Sequence, residues 1–434
     1  MTQNTNPFAS EKLAKMAAEA AQRGSALHEQ FLQRRRDGMI EMQRILAIQL
    51  GEVETPTNPA LFDSHQLDEF GTGQISRCLG ADFAQYDTRR IPRIPNGDLK
   101  MMTRVVEISG TRHAYHQPAS VTVEYDVPQD AWYMGETVFP HIPTSLMMEI
   151  ALQPCGFLSA YLDTYAAVPY GDFYFRNLDG SARVVTTPDM RGKTITTNAR
   201  LLNSIIGGGT VIQKFAFELT CAGATLYEGE SSFGYFSVET MTNQVGLDGA
   251  KRVLPWLREP ANSGMQAQLL DLRQMQAAQN RRPYYRLPYG KLHFVDSVTL
   301  VPGGGRYGQG YLLAARPVNP RDWFYPFHFH GDPVMPGSLG VEAILETMQA
   351  GALALDLAGT MPNPRFGLFP GAPAMDWRYR GQITPAHKNV ELEVHLSGIL
   401  REGGNTCLLG DASLWVDGLR IYEVKNASVG LLDS

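Results

Sequence analysis

Cysteine is scarce in this chain of 434 residues: Cys78, Cys155, Cys221 and Cys407 are all there is. They form no CxxC pair, so neither a zinc cluster nor a disulfide framework is implied, and a reducing compartment fits. Charged residues make up only 19%, with a formal net charge of −6, which argues against nucleic acid or an anionic membrane as partner. No run approaches the roughly 20 apolar residues that span a bilayer. The opening MTQNTNPFASEKLAKMAAEAAQRG has no signal-peptide core. The glycine clusters IIGGGT and VPGGGRYGQG precede no helix and no GK[ST], so they read as turns or bulges between strands, not phosphate loops. A soluble cytoplasmic protein of ordinary globular composition is expected, with no metal site.

What is present begins with a helical stretch over 8–50, where Leu27, Phe31, Met42, Ile45 and Leu46 form an apolar stripe and Arg34, Arg35 and Arg36 a solvated face. It reads as a linker or docking segment, residues 1–61, ending in the polar, proline-containing GEVETPTNPA. From about residue 66 the chain is β-rich. VTVEYDV, KFAFELTC, KLHFVDSVTLV, VELEVHLSGIL and ASLWVDGLRIYEV read as strands. Two long segments interrupt them as helices, 144–166 and 337–357.

These helices are related. PTSLMME at 143–149 matches PGSLGVE at 336–342, 193 residues on, and LYE at 226–228 matches IYE at 421–423, 195 residues on. A duplicated unit follows, here divided as 62–245 and 246–434. Each copy offers one apolar helix amid many strands, hence an α+β fold in which a bent antiparallel sheet wraps one central helix. Two copies side by side make one continuous sheet and remove an exposed edge from each.

HFHGDPVMPGSLGVEA (328–343), WRYRGQITP (377–385) and GDASLWVDGLRIYEVKNASVGLL (410–432) resemble bacterial β-hydroxyacyl-[acyl-carrier-protein] dehydratases of the hydroxydecanoyl dehydratase/isomerase type. RRIPRIPNGDL, IPTSLMMEIALQPCGFLSAYL, YFRNLDG and LYEGESSFGYF resemble the tandem dehydratase regions of polyunsaturated-fatty-acid synthases and related polyketide-like synthases. The resemblance spans about 62–432 and implies a double hot-dog fold. It also implies dehydration of 3-hydroxyacyl thioesters to trans-2-enoyl thioesters, with no cofactor beyond the phosphopantetheine of an acyl carrier protein. Partners are then that carrier, other synthase domains or subunits, and a second copy of the chain. Dehydration with double-bond isomerisation, a hot-dog thioesterase and a non-catalytic megasynthase scaffold are the alternatives.

Such an elimination needs a base for the C2 proton, an acid for the departing C3 hydroxyl and a donor to the thioester oxygen. His328 and His330 share one side of an extended segment, so geometry leaves the base open; the resemblance selects His328. It also makes Gly337, at a helix start, the oxyanion donor, and brings Phe327, Phe329 and Pro336 to the substrate. Glu149 and Glu342 each have leucines three residues to either side, so both carboxylates face apolar helix sides. In the resembling dimers histidine and acid come from neighbouring hot dogs, so His328 is expected to work with Glu149. The reciprocal histidine position is Gly135, which makes Glu342 a structural residue beside a vestigial site. His141 is expected to sit in a turn, and Asp332 to hold its loop through nearby amides. Tyr379 and Arg380 are expected on a solvated strand face, the alternative being contact with a pantetheine arm or carrier helix.

Overall fold

The computed structural model describes residues 59–433 apart from 170, 208, 209, 279–283 and 360, together with Met42. Residues 1–59 form one unit and residues 60–434 another. The expected helical linker over 1–61 therefore falls almost wholly outside the described residues.

Among the described residues, fourteen strands of the second unit join in one antiparallel sheet. The first half supplies β1 (Arg104–Ser109), β2 (Ala119–Asp126), β3 (Phe173–Val184), β4 (Thr194–Gly207), β5 (Thr210–Cys221) and β6 (Ala224–Ser237). The second supplies β7 (Gln268–Asp271), β8 (Ser297–Val301), β9 (Tyr311–Pro317), β10 (Pro364–Gly367), β11 (Met375–Tyr379), β12 (Asn389–Glu402), β13 (Asn405–Val416) and β14 (Leu419–Asp433). The order is β1-β2-β4-β5-β6-β3-β11-β14-β13-β12-β9-β8-β7, with β10 beside β14. The path runs through the first copy and then, mirrored, through the second. This is a double hot-dog, and β3 and β11 are its seam. There Trp377 lies opposite Gly180. A Cβ on Gly180 would sit 2.2 Å from the indole, so only glycine admits the ring. Trp377 Nε1 donates to Asn177 Oδ1 at 2.7 Å, tying the copies together.

Each half-sheet wraps one helix, α1 (Thr144–Tyr161) and α2 (Gly337–Ala354). Both are apolar around most of their circumference and correspondingly buried. The sheet's alternation matches. In β2, Val121, Val123 and Tyr125 are buried while the residues between them are half-buried. Pro154 inside α1 cannot donate to the Ile150 carbonyl; the Thr197 hydroxyl donates to it instead, at 3.4 Å. Proline precedes both helices as N-cap, Pro143 and Pro336.

The structure departs from the sequence expectations in four places, one being ASLWVDGLRIYEV, which is not one strand but the hairpin of β13 and β14. Both helices end earlier, because Asp163 (φ 54) and Asp356 (φ 47) take left-handed backbone that breaks the helical run. Residues 64–86 are short helices, not strands. The first opens with a capping box in which Asp63 accepts from the Gln66 N–H at 2.9 Å and Gln66 accepts from the Asp63 N–H at 3.0 Å. Within KLHFVDSVTLV only Ser297–Val301 is strand. The preceding residues are tied to buried Glu346, which accepts from the amides of Phe294 and Val295 at 2.7 and 3.1 Å. The glycine run 303–310 links β8 to β9 as a turn, as its composition implies. Among the described residues no helix is long and apolar enough to cross a membrane.

Candidate active site

The loop between β9 and α2 carries the histidine. It folds tightly: the Val334 N–H donates to the His328 carbonyl at 2.8 Å, and Phe329 and Asp332 exchange backbone bonds at 2.9 and 3.1 Å. Gly331 turns the chain at φ 73. His328 Nδ1 lies 2.9 Å from the Val334 carbonyl. A carbonyl only accepts, so Nδ1 carries the proton and Nε2 keeps its lone pair in the neutral ring. Burial pushes the imidazole down to about 4, and the Arg176 charge adds to that. Above that pH the ring is an unprotonated base.

Glu149 reaches the same place from α1, in the other hot dog. It is buried. Oε1 accepts from Ser338 Oγ at 2.6 Å, across from α2, and Oε2 accepts from Gln153 Nε2 at 3.0 Å. Gln153 is itself fixed by the Met101 N–H at 2.9 Å and the Leu99 carbonyl at 2.8 Å. Burial raises the carboxyl above the usual range despite these donors. Burial thus pushes the imidazole down and the carboxyl up, in opposite directions, as suits a base and an acid set side by side.

Both line one cavity of about 130 Å³, with Gly337, Ser338, Phe329, Arg176, Phe175, Tyr379 and Tyr422 among its walls. The structure thus brings His328, Glu149, Gly337 and Phe329 together. Phe327 and Pro336 are not among the lining residues. The ring of Phe327 covers Gly97, where a Cβ would lie 2.4 Å from it, and its carbonyl accepts from Asn96; Pro336 serves as helix cap. His330 is exposed. Asp332 does hold the loop, but its partner is Arg176 of β3, with both carboxylate oxygens 2.8 Å from guanidinium nitrogens. The first copy therefore clamps the second copy's histidine loop. Tyr379 is buried, not solvated, because it lies on the inward face of β11, where buried and exposed residues alternate.

The mirror arrangement is nearly complete. Ser145 Oγ donates to Glu342 Oε2 at 2.6 Å, as Ser338 does to Glu149. Ser145 and Ser338 occupy the same place in the repeat, a signal present in the matched heptapeptides but not used. A second cavity of about 60 Å³ is lined by His141, Thr144 and Tyr227. The expectation that His141 merely sits in a turn needs correction. It is buried, its Nδ1–H donates to the Ile142 carbonyl at 2.9 Å, and Nε2 has no partner. Glu342 is not among the cavity's lining residues, so imidazole and acid are not gathered there. Burial pushes Glu342 up to about 7 from its ordinary 4.5. A folded-state value above the unfolded one stabilises the fold below about pH 4.5, and that contribution is lost as pH rises through 7. Glu342→Gln is therefore expected to keep most turnover. It should also flatten the stability loss between pH 5 and 8, by on the order of 1–3 kcal/mol in chemical denaturation.

Residues 287–425 match the family model described as FabA-like domain. The chain is 36% identical over 383 residues to a polyunsaturated fatty acid synthase polypeptide of a Thraustochytrium species, one of the subunits of that synthase. That match covers 84% of this chain and 25% of the relative, so the chain spans about a quarter of the relative's length. The family match thus falls within the second hot dog, and most of the chain is similar to one segment of that synthase polypeptide. Among solved structures it is similar to the dehydratase domain from the terminal module of the rifamycin polyketide synthase, at 12% identity, 78% and 98% coverage of the two chains and TM-score 0.40. It is equally similar to a protein described as an oleoyl thioesterase from Lactobacillus plantarum, at 12% identity, 74% and 98% coverage and TM-score 0.40. Likeness at this level says nothing about activity.

Proposed function

We propose that the chain dehydrates 3-hydroxyacyl thioesters to trans-2-enoyl thioesters. The observation that carries this reading is the shared cavity lined by the His328 imidazole, the Glu149 carboxyl and the helix N-terminus at Gly337. His328 Nε2 takes the C2 proton. The C–H electron pair becomes the C2–C3 double bond, the C3–O bond breaks, and Glu149 delivers its proton to the departing hydroxyl, which leaves as water. The Gly337 N–H, one of the donors a helix start leaves unpaired, holds the thioester oxygen as charge builds there. The substrate is proposed to arrive on the phosphopantetheine of an acyl carrier protein within a fatty-acid or polyketide-type synthase; the match to one segment of a synthase polypeptide supports that setting. Elimination asks for an acid, a base and a polarised carbonyl only.

Incubation with a 3-hydroxyacyl carrier thioester, followed by mass spectrometry of the intact carrier, tests the proposal. Loss of one water from the tethered chain is the expected result. Release of the whole acyl group would indicate a thioesterase, and an unchanged carrier a scaffold.

A further inference from the structure

The cavity holds a hydroxyl that the proposed chemistry has not used. Tyr379 is buried, its Oη has no hydrogen-bond partner, and it lines the cavity with His328, Glu149 and Gly337. A buried hydroxyl without a partner is uncommon, because the lost hydration is not replaced. Its ring packs on the start of α2: a Cβ on Gly337 would lie 2.6 Å from Cε2 and 2.9 Å from Cζ of Tyr379. The ring edge bearing the hydroxyl thus faces the residue whose N–H opens the helix. The other cavity is lined by the Tyr227 hydroxyl, likewise buried and unpartnered, but no tyrosine stands there in the place of Tyr379. Tyr379 pairs across the strands with Tyr422, and the position that pairs with Tyr227 on the other side is Val184. Thr144 stands there in the place of Gly337. The hydroxyl and the glycine that gives it room occur together, in the cavity that holds both His328 and Glu149.

We infer that the Tyr379 hydroxyl is a second hydrogen-bond donor to the thioester carbonyl oxygen, completing with the Gly337 N–H a two-point oxyanion site. This deepens the dehydratase reading and rests on it. Burial holds the phenol well above its ordinary value, so it stays a donor throughout the working pH range. Two donors at fixed positions stabilise charge that develops only in the transition state.

Tyr379→Phe tests this, since the change removes one oxygen and leaves no protein group unpaired. The melting temperature should be equal to or above wild type. With a 3-hydroxyacyl N-acetylcysteamine thioester, kcat should fall by roughly 10²-fold while KM stays within about threefold, as for loss of one oxyanion donor. Turnover within threefold of wild type, or a loss confined to KM, overturns the assignment. A second readout needs no turnover: the carbonyl stretch of a bound saturated acyl thioester should sit lower in wild type than in Tyr379→Phe, and equal frequencies would overturn the inference. A wild type that binds the thioester without dehydrating it sinks the dehydratase reading, while the carbonyl frequencies still decide the role of Tyr379.

Discussion

His328→Ala is expected to lower kcat for water loss by about 10³-fold, the middle of the range for a positioned acid–base group. Among the described residues no other imidazole lines the His328 cavity; His330 is exposed and His141 lines the other cavity. Truncation opens space beside Phe329 and the Val334 carbonyl, the two groups that pack on and orient the ring. Added imidazole should therefore restore part of the rate. The same variant has a pH signature. The folded ring titrates near 4, below its ordinary 6.5. Its contribution to stability is complete above about 6.5 and is lost as pH falls through 4, because only the unfolded chain takes the proton readily. His328→Ala should thus lose less stability than wild type on acidification from pH 7 to 4, measured by denaturation at each pH. An alanine variant with wild-type turnover would exclude His328 as the base.

Glu149→Gln is expected to cost a comparable factor, roughly 10²–10⁴ in kcat, with the fold intact. The carboxamide oxygen can accept from Gln153 Nε2 while its NH2 donates to the Ser338 hydroxyl, which can turn to receive it. The geometry survives and only the transferable proton is gone. Wild-type kcat/KM should decline as pH rises through the raised value of Glu149, since the acid must be protonated to act. Glu149→Asp should keep that alkaline limb and part of the rate. An equal loss from Glu342→Gln would mean that the acid assignment is inverted or that both cavities work.

Much of this was legible in the residues. The duplication showed in PTSLMME and PGSLGVE, and the single apolar helix per copy followed from composition. One local turn signal went unread: ASLWVDGLRIYEV, which reads as one strand, is split into β13 and β14 by a hairpin that turns on Asp417 and Gly418, both at positive φ. Other features were hidden because a partner overrode local preference. KLHF reads as strand, yet its neighbours follow Glu346, a buried carboxylate 51 and 52 residues away that gathers their amides. Asp332 reads as a turn former, yet it answers to an arginine 156 residues earlier. The short helices after Asp63 had a readable capping box, DSHQ, which β-rich surroundings obscured.

By itself the sequence determined the parts: two matched helices, a histidine loop with a Pro-Gly start, and two carboxylates on apolar helix faces. Those depend on periodicity and turn chemistry, which act over a few residues. Only the tertiary structure decided the pairings across the seam. It placed Glu149 against Ser338, 189 residues on, and mirrored Ser145 against Glu342, 197 residues on. It also left a tyrosine hydroxyl facing the cavity and drew Arg176 over the histidine loop. Such contacts arise from β3 lying beside β11, and no local pattern encodes where a side chain points once two sheets have become one.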